Sequence, residues 1–222
     1  MRRFVLADVA TLIVFIAVVQ NNKLPVEEWT SSAQTPFVLY ITGDGGFNSF
    51  SSSLCKEINQ HGYSITAVDA STYFWYKKTP AQSASDIGNY LEKQMAGRKN
   101  QQIVLAGYSF GADVLPFIAN KLSNALKRKI ISIVLLSPST STDFEIHWFD
   151  IFGGSKKRSM NVVTEINTIS DIQMATIFGS DETDFPVNDI HLKNFNYEYL
   201  PGGHHFDGNI TEVVKTMSKY FK

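Results

Sequence analysis

From residue 24 onward the apolar positions fall into short runs of strand length, set between stretches of helical spacing. Residues 37–42 form a β-rich apolar run closed by Gly43, and residues 48–60 keep helical spacing up to a stop at His61-Gly62. The pattern then predicts a strand over 63–68, a helix over 81–95, a buried strand over 102–106, a helix over 109–126 and an apolar strand over 130–136. After a less regular stretch at 137–170, it predicts strands over 173–178 and 197–200 and a closing helix over 210–221. Short, uniformly apolar strands alternating with helices imply a parallel sheet buried on both sides. The expected class is α/β, with a mostly parallel sheet of about six strands covered by helices on both faces.

The first residues follow a different pattern. Arg2 and Arg3 precede an apolar stretch from Phe4 to Val19, interrupted by Asp8 and ended by Gln20, Asn21 and Asn22. The unbroken run at 9–19 has the length of a signal-peptide core and falls short of the roughly twenty residues a membrane span needs. Residues 1–22 are therefore expected to be a signal peptide or N-terminal membrane anchor, residues 23–222 a single catalytic domain, and the location periplasmic. Composition agrees with one substantial core, at 44% apolar and 18% charged residues in 222. A net charge of -1 without a long basic run argues against nucleic acid as a partner. Cys55, the single cysteine, can form no internal disulfide and no cysteine-based metal site.

Chemistry enters at residues 107–111, Gly-Tyr-Ser-Phe-Gly, where a buried strand gives way to a helix. A nucleophilic serine must stand on a sharp turn, and glycines two residues either side let strand and helix approach without a Cβ clash. Ser109 is the expected nucleophile; a plain serine N-cap is the bland reading, and the strand-turn-helix setting favours the elbow. The loop Thr42-Gly43-Asp44-Gly45-Gly46 stands where a second oxyanion donor belongs, so the backbone amides of Asp44 and Phe110 are the expected oxyanion hole. That loop lacks the lysine of a phosphate-binding loop and the full dinucleotide fingerprint. A base is expected between the last strand and last helix, in Leu200-Pro201-Gly202-Gly203-His204-His205-Phe206-Asp207-Gly208. Only one of the two imidazoles can reach Ser109, and His204, following the paired glycines, is favoured over His205. A metal site from His204, His205 and Asp207 lacks a second ligand cluster, and no metal or cofactor is expected. The acid should follow the penultimate strand; spacing after Gly179 and before Pro186 selects Glu182, with Asp181 and Asp184 as alternatives. The order serine, acid, histidine is that of an α/β hydrolase, so a compact serine hydrolase acting on an ester is the expectation.

These motifs together resemble the VirJ/AcvB family of bacterial virulence-associated exported proteins, whose members share an α/β-hydrolase domain. The resemblance extends over most of residues 24–222. It is carried by Leu24-Pro25, TGDGGF at 42–47, VDASTYFWYKKTP at 68–80, GYSFGADVLPF at 107–117, DFEIH at 143–147 and LPGGHHFDG at 200–208. It implies a periplasmic enzyme acting on aminoacylated phospholipid at the membrane surface, chiefly lysyl-phosphatidylglycerol, with a link to type IV secretion proteins. The aromatic run follows the strand ending near Val68 and so belongs at the carboxyl edge of the sheet. There some of Tyr73, Phe74 and Trp75 are expected to contact acyl chains or headgroups and Lys77 and Lys78 to meet phosphate, with partial burial of the run under the next helix as the equal alternative. Asp44, Asp143 and Glu145 are candidate partners for a cationic aminoacyl group, whereas Asp113, on the nucleophile's helix, is expected to complement the helix dipole. The competing readings are a non-catalytic periplasmic component or chaperone of a type IV secretion system, and a general carboxylesterase or thioesterase.

Overall fold

The computed structural model describes residues 24–98, 101–147 and 158–222. The expected export segment lies outside them, and no described helix is long and apolar enough to cross a membrane. In chain order the elements are β1 (Val26–Trp29), β2 (Phe37–Ile41), α1 (Ser49–Gln60), β3 (Ile65–Val68), α2 (Ala70–Tyr73) and α3 (Pro80–Ala96). They continue with β4 (Ile103–Tyr108), α4 (Phe110–Lys121), α5 (Asn124–Lys127), β5 (Ile130–Leu136), β6 (Ser141–Thr142) and β7 (Met160–Asn161). The last are α6 (Val162–Ile166), β8 (Gln173–Gly179), β9 (Phe195–Leu200) and α7 (Ile210–Ser218).

The main sheet has seven strands in the order β1-β3-β2-β4-β5-β8-β9, parallel throughout except for β1 at the edge. Alternation along each central strand sends side chains to two separate cores. Leu39 of β2, Leu105 of β4 and Leu135 of β5 join the core under α3 and α4. Val38, Ala106 and Val134, one residue earlier or later, join the core under α1 and α7. The expected α/β architecture is thus present, with one strand more than the six read from the pattern.

Several helices start where side chains accept from orphan amides of the first turn. Asn48 caps α1, Asn161 caps α6, Asn209 caps α7, and Thr79 forms a reciprocal capping box with Gln82 ahead of Pro80 in α3. The helix expected over 109–126 is instead two. Leu122 turns extended, and Ser123 caps the short α5, accepting from the Leu126 amide. Within the irregular stretch, β6 and β7 pair as a two-residue antiparallel hairpin.

Candidate active site

Five neighbouring parallel strands, β2, β4, β5, β8 and β9, deliver their carboxyl ends to one edge of the sheet. In open α/β sheets this is the edge where ligands bind. The turn after β4 carries Ser109, with φ 53° and ψ -122°. Its neighbours have no room for a side chain. A Cβ on Gly107 would lie 2.6 Å from the Gly111 carbonyl oxygen, and one on Gly111 would fall on the Ile41 and Thr42 carbonyls. Ser109 occupies the N-cap position of α4 yet makes no side-chain cap bond. A residue well suited to capping leaves the helix end open because its hydroxyl is engaged elsewhere.

That partner is His204, whose Nε2 lies 2.9 Å from Ser109 Oγ. The other ring nitrogen, Nδ1, lies 2.7 Å from Glu182 Oε1. With the carboxylate accepting at Nδ1–H, Nε2 is left as the acceptor facing the serine hydroxyl. Burial works against the Glu182 charge, but hydrogen bonds from His204, Ser137 and the Gly179 amide outweigh it and hold its pKa below the ordinary glutamate value. The two loops bearing these groups are clasped together. Asp181 donates its amide to Gly202 at 3.1 Å, and a Cβ on Gly179 would fall on the Gly202 and Gly203 carbonyls. Asp181 and Asp184, the alternative acids, are exposed.

His205 points away from the serine. Its Nδ1 lies 2.6 Å from the Tyr108 hydroxyl, which also donates to the His204 carbonyl at 3.1 Å or shares its proton between the two. Burial, then the Glu182 and Asp44 charges, raise the Tyr108 pKa, so the phenol stays neutral and braces the histidine loop from beneath. Among the described residues no group of three or more metal-ligating side chains converges, and the rings of His204 and His205 face different partners.

The loop after β2 lies against Ser109, since a Cβ on Gly43 would stand 3.3 Å from Ser109 Cβ. Its turn is closed by the Gly46 amide on the Gly43 carbonyl at 3.0 Å, a bond that leaves the Asp44 amide uninvolved. Phe110, the first residue of α4, has an amide without an intrahelical acceptor. Gly43, the residue before Asp44, thus abuts Ser109, and Phe110 follows Ser109 directly.

The aromatic run divides. Phe74 is fully buried and Tyr73 nearly so, which overturns their expected contact with substrate. The short α2 turns both rings inward. Phe74 packs edge-on against Tyr73, Phe110 and Phe144, and the Tyr73 hydroxyl donates to Asp86 at 2.6 Å. Trp75 and Tyr76 are exposed, as is Lys77, while Lys78 holds its ammonium 4.6 Å above the Tyr73 ring. Asp44 is exposed, next to Gly43 in the loop that abuts Ser109. Asp143 is occupied by His147 at 2.8 Å and Arg158 at 3.8 Å, which removes it from the candidates for a cationic group; Glu145 is half-buried. Asp113 is buried and accepts the Ser139 amide at 2.6 Å, so its role is a tertiary contact more than complementing the dipole. Ser137, which reaches Glu182, had no signal in the pattern beyond following a predicted strand.

A mostly parallel seven-stranded sheet covered on both faces, with a serine elbow after a central strand, defines the α/β-hydrolase fold. Residues 35–222 match the family described as bacterial virulence protein (VirJ), and the chain belongs to that family. Similar folds include a lipase-esterase related protein from Clostridium acetobutylicum, with 15% identity, TM-score 0.63, and coverage of 88% of this chain and 99% of that one. A dienelactone hydrolase from Anabaena variabilis has 14% identity and TM-score 0.64, covering 91% and 93%. A monoglyceride lipase from Saccharomyces cerevisiae has 12% identity and TM-score 0.62, covering 88% and 90%. No curated protein is similar enough in sequence to count as a match.

Proposed function

We propose that this chain is a serine hydrolase that cleaves an ester through Ser109, His204 and Glu182. The observation that carries the reading is the continuous hydrogen-bonded line from Ser109 Oγ through both ring nitrogens of His204 to Glu182 Oε1. Ser109 Oγ attacks the acyl carbonyl as His204 Nε2 takes its proton, and Glu182 stabilises the imidazolium that forms. The Asp44 and Phe110 amides meet the charge developing on the carbonyl oxygen. The carbon–oxygen bond to the leaving alcohol breaks, the alcohol takes the imidazolium proton, and water then attacks the Ser109 ester with His204 again as base.

The substrate we infer is the aminoacyl ester of lysyl-phosphatidylglycerol or a related aminoacylated phospholipid, met at the membrane surface in the periplasm. Resemblance to the VirJ/AcvB family supports this, as do exposed Trp75, Tyr76 and Lys77 near the carboxyl edge, groups suited to a lipid interface. Exposed Asp44, in the loop beside Ser109, offers an anion for the lysyl ammonium.

The test compares lysine release from vesicles of lysyl-phosphatidylglycerol with hydrolysis of short acyl esters, for wild type and Ser109→Ala. The reading expects faster turnover of the aminoacyl lipid and a fall of about 10³-fold or more in the variant. Faster turnover of short acyl esters would favour a general esterase. Absence of hydrolysis, with Ser109→Ala restoring a deletion strain, would favour a secretion-system component.

A further inference from the structure

Glu182 ends in a torsion between sp³ and sp² carbons, which is broad and has no staggered well to fix the carboxylate plane. Its aim at His204 has to be set from outside. Oε1 is taken by His204, while Oε2 accepts from the Gly179 amide at 2.8 Å and from Ser137 Oγ at 2.6 Å.

Ser137 is the first residue after β5. Its side chain is buried, its amide continues the ladder to the Ile177 carbonyl at 2.8 Å, and its φ is 47°. An L residue enters that region at a cost and stays only where its surroundings over-determine it. Here both sides of the turn are tied. The Ser109 amide donates to the Leu136 carbonyl at 2.9 Å, just before Ser137. Just after it, the Ser139 amide donates to Asp113, one turn along the nucleophile's helix. The loop is thus pinned to the nucleophile's own elbow and helix, with its hydroxyl held out to the acid.

We propose that Ser137 is a positioning residue of this site, its hydroxyl fixing the Glu182 carboxylate so that Oε1 stays aimed at His204 Nδ1. The proposal rests on the serine-hydrolase reading above. It adds a fourth side chain, anchored to the element that carries the nucleophile, which keeps acid and nucleophile in register. The other titratable groups around this line are Tyr108, with His205 beyond it, and the exposed Asp181 and Asp44.

The test is the rate of fluorophosphonate labelling against pH for wild type, Ser137→Ala and Ser137→Gly, with a thermal melt of each. Losing the hydroxyl concentrates charge on Glu182, which then holds a proton, its own or that of His204, more firmly, so the base becomes free only at higher pH. Both variants are expected to label about 10-fold more slowly at neutral pH, a fraction of the 10²–10⁴ that general-base catalysis supplies. Both should also move the midpoint of the labelling profile upward, and Gly, which suits the positive φ, should melt no lower than Ala. If wild type is labelled and both variants match its rate and midpoint, the proposal is overturned. A loss in one variant alone, or a lower melt without a moved midpoint, overturns it too, because that is a backbone effect. Failure of wild type to label would instead overturn the serine-hydrolase reading itself.

Discussion

Ser109 bears two local costs. Its positive φ is a strained conformation worth about 1–3 kcal/mol, and the helix cap it forgoes is worth about 1 kcal/mol. Glycine tolerates that backbone where alanine does not, so Ser109→Gly should be more stable than Ser109→Ala by about 1 kcal/mol in urea unfolding, with both inactive. Equal stability would show that the elbow is unstrained. At Glu182, replacement by Gln keeps the shape but presents an amide to Nδ1 and removes the charge, and should lower kcat by about 10⁴-fold. Its depressed folded pKa also carries a stability term, present above the unfolded value near 4.3 and lost as pH falls through the folded value. Glu182→Gln should therefore show a shallower loss of stability below about pH 4 than wild type. Asp113 has the opposite sign. Burial, opposed by the Ser139 hydrogen bonds and aided by the Asp44 charge, raises its pKa well above the ordinary value. A raised carboxyl costs stability as pH climbs past its unfolded value, so Asp113→Asn should gain on wild type in urea midpoint as pH rises above about 4. Ser109, His204 and Glu182 were legible because glycine spacing and chain order mark them. Ser137 was not, since nothing in the letters Leu-Ser-Pro announces a positive φ.

The elements that hold these residues are uneven in how clearly the chain writes them. β2, β4, β5 and β8 are apolar on both faces, the plain signature of a parallel sheet between two helical layers. β1 reads Val-Glu-Glu-Trp and escapes the pattern, because an antiparallel edge strand can leave its middle residues in water. Four aromatics at 73–76 have no period from which to tell inward from outward, and only the turn of α2 decides that Tyr73 and Phe74 are buried. The break between α4 and α5 depends on a Ser123 cap that competes with continued helical spacing. The elbow itself is the tightest joint. A methyl group on Gly107 would meet the Gly111 oxygen at 2.6 Å and the Ala112 nitrogen at 2.7 Å, backbone atoms that cannot rotate away. Gly107→Ala should destabilise by about 3 kcal/mol, read from chemical denaturation; a change under about 1 kcal/mol would mean that α4 can shift off β4 freely.

At the scale of the whole molecule, the hydrogen-bonded line of Ser109, His204 and Glu182 exists only because five adjacent strands of one sheet end together. The Thr42–Gly46 loop follows β2, Ser109 follows β4, Ser137 β5, Glu182 β8 and His204 β9. A site assembled from five strand ends is expected to be lost with the fold, so loss of labelling and loss of far-ultraviolet circular dichroism should coincide in a urea titration. Labelling lost well before the dichroism would mean that the histidine or acid loop opens on its own. The match over residues 35–222 places the chain in the VirJ family, while the proposed ester chemistry stands on the geometry around Ser109. The most direct test is to label the intact protein with a fluorophosphonate and locate the adduct by peptide mass spectrometry. A single adduct on Ser109, lost in His204→Ala and retained in His205→Ala, is the predicted result; no adduct, or one on another residue, would contradict it.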